Sequence, residues 1–224
     1  LLDPARTLLG AEQEAWLAET LASSKQRGQT WQILAQQIVV GEQLVGAGAA
    51  ALVSPETHAN VRRYVTVGER LGRMGMPWNL DSWDGYPAAR ERFLQACAAS
   101  AANAVVLGGD SHNTWLNNLM APGDAARRAA IEFAGASVTS PGLEQAMSAG
   151  AAGAREAMMR SANAQLAWCD VTHRGYGALK FTRGACEAEW VAFASVRDPD
   201  AGAPNITRFS ATPSAQGGPS AWTV

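Results

Sequence analysis

Charged and chemically versatile side chains are scarce in this sequence. Only 17% of its 224 residues are charged, the formal net charge is -2, and it holds just three histidines. A balance this close to neutral offers no basic face for a nucleic acid. Hydrophobic residues make up 47%, too many for a disordered chain. Cys97, Cys169 and Cys186 are far apart and form no CxxC pair, which excludes a zinc knuckle and a disulfide framework and predicts core roles for all three. No apolar run approaches the ~18 residues of a membrane span. The GAGAAA stretch at 46–51 lacks the GxGxxG spacing of a nucleotide loop. The chain opens on Leu1-Leu2-Asp3-Pro4 rather than on Met or a signal peptide, which predicts a processed or truncated product.

What is present is organised first as alternating helices and strands. GAEQEAWLAETLASS sets Leu17 and Leu21 four apart, with acids early, and predicts an amphipathic helix. TWQILAQQIVV, at 30–40, is apolar and β-branched and predicts a buried strand. Residues 41–80 show little periodicity and predict a long irregular excursion with one short helix at 60–64 and a surface histidine, His58. Pro87 opens a helix whose face is Ala89, Phe93, Leu94 and Cys97. AVVLGG predicts a second buried strand ending at Asp110, and IEFAG a third. A helix follows, with Leu143, Met147, Ala151, Ala154 and Met158 on one stripe, weakened by Gly150 and Gly153. QLAWC, GYGALKFT and CEAEWVAFASV then predict antiparallel strands. The expectation is a mixed α/β body over 1–198 and a patternless C-terminal extension over 199–224.

One stretch concentrates the chemistry: VVLGGDSHNTW, residues 105–115. In open α/β sheets functional groups gather just beyond the carboxyl ends of strands, where Asp110 to Asn113 fall. Asp-x-His brings a carboxylate and an imidazole together on a tight turn, suiting two adjacent oxygen and nitrogen metal ligands, one for each of two ions. The competing reading is structural, with Asp110 capping a turn and His112 bonded to nearby backbone. A hydrolase pairing Asp110 and His112 with Ser137 or Ser140 is weakened by the absence of a GxSxG elbow around either serine.

RTLLGAEQEAWL, TWQILAQQIVV, NLDSWDGYPAARERF, VVLGGDSHNTW, EFAGASVTSPG and HRGYGALKFT follow one another in an order that resembles the alkaline phosphatase D family of metallophosphoesterases. The likeness runs from Arg6 to Thr182, and DSWDGYPAAR with GGDSHNTW is its most specific combination. It implies the calcineurin-like four-layer α/β/β/α sandwich, similar to the purple acid phosphatases, of which this chain would be the C-terminal half. The family's generic Gly-His-x-His turn becomes Gly-Asp-x-His in this variant. By that resemblance His112 binds a ferric ion, Fe(3+), and Asp110 a neighbouring Ca(2+), for which a carboxylate is the harder ligand. The same pattern sets Gln37 where a metal-binding histidine is expected, with Gln36 as its neighbour, and an amide oxygen can ligate calcium. A buried glutamine satisfied by backbone is the alternative there. Asp81, Asp84, Asn113, His173 and Tyr176 are candidates to line the cleft, while Trp83 and Tyr86 are expected to pack their loop.

The activity so implied is metal-dependent hydrolysis of phosphate monoesters and phosphodiesters by a metal-bound hydroxide. The family's further ligand motifs, a Cys or Asp on the first strand, a Gly-Asp turn followed by Tyr and a Gly-Asn turn, do not precede Asp110. A complementary N-terminal part of the same protein is therefore expected as partner, without which this piece would be catalytically incomplete. Export to the periplasm or the extracellular space is also implied. A non-catalytic binding or scaffolding module that keeps the sandwich half is the alternative function.

Overall fold

The computed structural model describes residues 1–100, 102–150 and 153–224. Helix α1 (Ala11–Gln26) starts after Gly10, whose φ of 85° suits glycine, and carries Glu12 and Glu14 in its first turn. The carboxylate of Glu14 accepts two bonds from the Arg92 guanidinium, at 2.7 and 2.9 Å. Arg92 lies on α3 (Pro87–Ala99), with Pro87 at the first turn as expected, so this pair ties the two helices side by side.

Five strands form the central sheet in the order β1 (Gln32–Ala35), β2 (Ala104–Gly108), β4 (Asp124–Ala134), β3 (Thr114–Ala121) and β5 (Leu166–Asp170). Parallel pairing joins β1, β2 and β4, and antiparallel pairing joins β4 to β3 and β3 to β5. A second, antiparallel sheet holds β6 (Arg174–Phe181), β7 (Cys186–Phe193) and β8 (Asn205–Ala211). Alternate residues of the central strands face opposite ways. Val105, Leu116, Ile131 and Phe133 pack with Cys186, Ala188, Trp190, Phe209 and Trp222 between the two sheets. Val106 and Ala130 point the other way, against Phe93, Leu94 and Cys97 of α3. Trp115 and Ala134 meet Val65 of α2 (Ala59–Gly72) and Met158 and Met159 of α5 (Ala154–Ala162). The described chain is thus three layers, helix on sheet on sheet, and the mixed α/β expectation holds.

Several local expectations are corrected. The strand expected over 30–40 is only Gln32–Ala35, and it is an edge strand, with Ile33 49% exposed, because β1 pairs on one side alone. The excursion at 41–80 contains the fourteen-residue helix α2, capped by His58, whose Nδ1 accepts the Asn60 N–H at 3.2 Å. Its buried face is Val65, Gly68 and Glu69, a pattern hidden by small and β-branched residues. TWLNNLMA, not anticipated as a strand, is β3, turned into β4 at Gly123, where φ is 75°. The single helix expected from Leu143 is two: a short α4 (Leu143–Ala146), and α5 beyond Gly150 and Gly153, both at positive φ. The stripe position Ala151 lies outside the described residues. The tail over 199–224 is not patternless, since β8 pairs along β7 and Trp222 is buried, its indole donating to the Glu132 carbonyl at 3.0 Å.

A carboxylate sits at the middle of the central sheet. Glu132 on β4 is fully buried, and it accepts the amides of Val40 (2.7 Å) and Gly41 (3.0 Å) and the side-chain amide of Asn117 (2.7 Å). Burial pushes its carboxyl up, and these three donors push back. From α3, Arg90 Nε donates to the Val40 carbonyl at 2.6 Å, so the segment after β1 is gripped from both sides. Glu132→Ala would strand three donors in a dry interior and is expected to cost about 4 kcal/mol, with Glu132→Gln costing roughly half as much. Urea unfolding checks this, and an alanine variant within about 1 kcal/mol of wild type would contradict the clamp.

Candidate active site

The turn after β2 is strained. Asp110 (φ 64°) and His112 (φ 61°) are the non-glycine residues at positive φ among those described, a conformation that L side chains resist and that clusters at functional sites. Both side chains are exposed at the carboxyl end of β2. The His112 ring is not free to turn. Its Nδ1 lies 2.9 Å from the Pro141 carbonyl and must carry the proton to bond it, which leaves Nε2 with an open lone pair. Behind the ring, Arg174 at the start of β6 donates to the His112 carbonyl and bridges to Glu144 at 2.5 Å. Asn113 is buried, accepts the Leu143 N–H at 3.2 Å, and keeps an unpartnered Nδ2.

Gln37 comes to the same place. Its carbonyl lies 3.6 Å from where a Cβ on Gly109 would sit, so the loop it occupies runs beside the turn. Its side chain is exposed and bonds to nothing among the described residues. Gln36 is spent on structure, accepting the Trp83 indole N–H at 3.0 Å and donating to the Ile38 carbonyl. Trp83 packs its loop as expected, fully buried 5.0 Å from the Phe93 ring.

His173 follows β5 and enters by a different route. Thr114 and Asp170 are paired across β3 and β5, so the chain beyond Asp170 runs alongside the turn. The His173 Nδ1 bonds Asp170 Oδ2 at 2.9 Å, and the same oxygen takes the Trp190 indole N–H at 2.9 Å. Burial works to raise the Asp170 carboxyl, but the His173 amide, the Trp190 indole and the Thr172 amide outweigh it and hold it below the usual carboxylate range. Tyr176, two residues past Arg174, is half exposed beside Phe193.

The two remaining carboxylates diverge. Asp81 is exposed with no bond to its carboxylate among the described residues. Asp84 is an internal tie that accepts the Gln43 N–H at 2.9 Å. Burial pushes its carboxyl up to about 6, against the opposing pull of the Gln43 amide and Arg90.

The donors fit a metal in kind but not in number. A carboxylate oxygen, an imidazole Nε2 with its other nitrogen fixed, and an uncommitted amide suit hard and borderline cations. Yet no three His, Cys, Asp or Glu side chains among the described residues lie close enough to hold an ion. Pro141, Glu144 and Arg174, which hold the turn, and Asp170, which orients His173, were not singled out from sequence. Arg174 lies within HRGYG and Asp170 follows QLAWC, but nothing local marks Arg174 as reaching His112 or Asp170 as bonding His173.

The geometry is thus a strand-end Asp-x-His turn on an α/β/β sandwich, and comparison with known proteins gives the class. The model of the PhoD-like phosphatase family matches residues 1–190, and the chain belongs to that family. Alkaline phosphatase D of Bacillus subtilis (strain 168) is 36% identical over 143 residues, covering 62% of this chain and 20% of the relative. A solved structure titled "Structure of PhoD" superposes with a TM-score of 0.64 at 28% identity, covering 96% of this chain and 35% of that one. This chain therefore spans about a fifth of the curated relative and about a third of the solved one.

Two substitutions test this geometry. Asp110→Gly relieves the left-handed strain and is expected to leave stability unchanged or raised by up to about 1 kcal/mol in chelator, as read by thermal unfolding. A loss larger than about 1 kcal/mol would mean that the carboxylate holds the fold. Asp84 has a folded pKa above its unfolded one, so it takes up protons on folding between the two values. Its contribution to stability is greatest at low pH and falls as pH rises through that window. Asp84→Asn keeps an oxygen for the Gln43 amide and is expected to be about 2 kcal/mol more stable than wild type at pH 8, a gain that vanishes near pH 4. Denaturant unfolding at both pH values decides it, equal stability at pH 8 being the contrary result.

Proposed function

We propose that this chain carries part of the active site of a metal-dependent hydrolase of phosphate monoesters and phosphodiesters. The observation that carries the reading is the His112 ring, fixed through Nδ1 by the Pro141 carbonyl so that Nε2 is left open, next to Asp110 on a strained strand-end turn. Membership of the PhoD-like phosphatase family supports it. His112 would hold Fe(3+), and Asp110, with Gln37, Ca(2+). Bound there, such cations supply a water nucleophile at neutral pH and neutralise phosphoryl oxygens.

The chain's own residues do the positioning. Arg174, anchored by Glu144, holds the His112 carbonyl and so the aim of the turn. The Glu132 and Arg90 clamp on Val40 and Gly41 holds the loop of Gln37 beside Gly109. His173, tied to Asp170 through Nδ1, keeps Nε2 for a phosphoryl or leaving-group oxygen.

The partner we propose is the complementary N-terminal part of the same protein. Two observations support it. The outer edge of β1 has no partner strand among the described residues, and a cleft of about 760 Å³ lined by Trp16, Leu17, Ile33, Ile38 and Phe93 runs along it. An open edge with apolar flanks favours added chain. Secretion to the periplasm or outside the cell is proposed by analogy with the family.

Elemental analysis of the intact protein should find iron and calcium, and chelation should abolish hydrolysis of 4-nitrophenyl phosphate. His112→Ala should lower kcat at least about 100-fold. Metal-free protein working at full rate would end the proposal. The competing reading, a binding module without chemistry, draws on the shortage of ligands among the described residues. It predicts that Asp110→Asn and His112→Ala leave ligand binding unchanged.

A further inference from the structure

A second concavity opens at the start of β6 and the end of β7. It measures about 460 Å³, and its walls include Val138, Tyr176, Phe193, Val196 and Arg197. Val138 (67%), Tyr176 (52%) and Val196 (40%) are large apolar side chains left exposed to solvent. Exposed apolar residues scattered singly mean little, but three gathered in one hollow mark a binding surface. The Tyr176 and Phe193 rings stand 6.5 Å apart at 40°, which makes this wall aromatic. Arg197 is exposed, and its guanidinium has no protein partner among the described residues.

Two short connections join the hollow to the turn. Val138 and Thr139 belong to the segment whose Pro141 carbonyl fixes His112. Gly175 and Tyr176 directly follow Arg174, which grips the His112 carbonyl, and the Gly175 amide donates to the Ser137 carbonyl at 3.3 Å. Two residues of strand span about 7 Å, so the aromatic wall begins about that far along β6 from the Arg174 backbone.

We propose that this cleft binds the flat aromatic group, aryl or nucleobase, of the phosphoester cleaved at the Asp110–His112 turn. The assignment rests on the phosphoesterase reading above. Aromatic walls recognise flat rings by stacking, and Arg197 and Asp198, side by side on the rim, leave the hollow without a net charge of its own.

The test uses the native, metal-loaded enzyme and two substrate pairs in which the broken ester bond is matched and only the ring differs. Benzyl phosphate is compared with methyl phosphate, and adenosine 5′-phosphate with ribose 5-phosphate. In at least one pair the ring-bearing ester should have a kcat/KM about tenfold higher, and the pair that shows it identifies the ring as aryl or nucleobase. In Tyr176→Ala and in Val196→Asp that ratio should collapse to about two or less, whatever the absolute rates. Ratios near one in both pairs, or a tenfold ratio that survives both substitutions, would overturn the assignment while leaving the phosphoesterase reading intact. Failure to hydrolyse any of the four esters would overturn both.

Discussion

The buried carboxylate of Glu132 is the contact on which the site depends. It sits where β2, β3 and β4 run side by side and accepts the amides of Val40 and Gly41, which have no strand partner of their own. Without it, the chain leaving β1 would carry unpaired amides into the interior, at a cost comparable to a lost hydrogen bond each. With it, and with Arg90 on the Val40 carbonyl, the loop is pressed against the β2 terminus. Gly108 permits that approach, since a side chain there would crowd the Ile38 carbonyl.

From that fixed floor the turn at 110–112 is built by opposed constraints. Two residues in the left-handed region resist their own backbone, and the Pro141 carbonyl, Arg174 and Glu144 hold them there. Strain of this kind persists only when its surroundings over-determine it. The supports come from the segment after β4 and from the start of β6, so both sheets contribute to one turn. The polar side chains around it are oriented in pairs: His112 by Pro141, His173 by Asp170, and Asp170 in turn by Trp190. Each of the two histidine pairings leaves one ring nitrogen uncommitted, which is how histidines are prepared for a ligand or a proton.

The strand-end position of Asp110 and His112, the core of the candidate site, was legible in the sequence, because VVLGG followed by Asp-x-His is a local pattern and a strand-end rule reads it directly. The α3 helix and the strands β6 and β7 were legible for the same reason, their periodicity being complete within a dozen residues. Other elements misled in physical ways. β3 is buried on both faces, so TWLNNLMA shows no alternation, and its Asn117 answers to Glu132 rather than to solvent. Of the helix expected from Leu143 onward, Leu143, Met147 and Met158 do pack in one cluster, but the backbone differs, since Gly150 and Gly153 use their freedom to break it. β8 looked like a loose tail because only Phe209 and Ala211 of its residues turn inward.

The sequence alone determined which residues could do chemistry and roughly where a strand would deliver them, because composition, periodicity and a turn motif are short-range properties. It also carried enough specific motifs to point to the family that the chain belongs to. Only the tertiary structure decided that β1 is an edge, that Gln36 is spent on Trp83 while Gln37 is free, and that Asp84 ties a loop. Those outcomes depend on partners far away in the chain, Asp84 for Gln43, Arg174 for His112 and Glu132 for Val40. Such contacts form only when the sheets stack, and no window of neighbouring residues contains them.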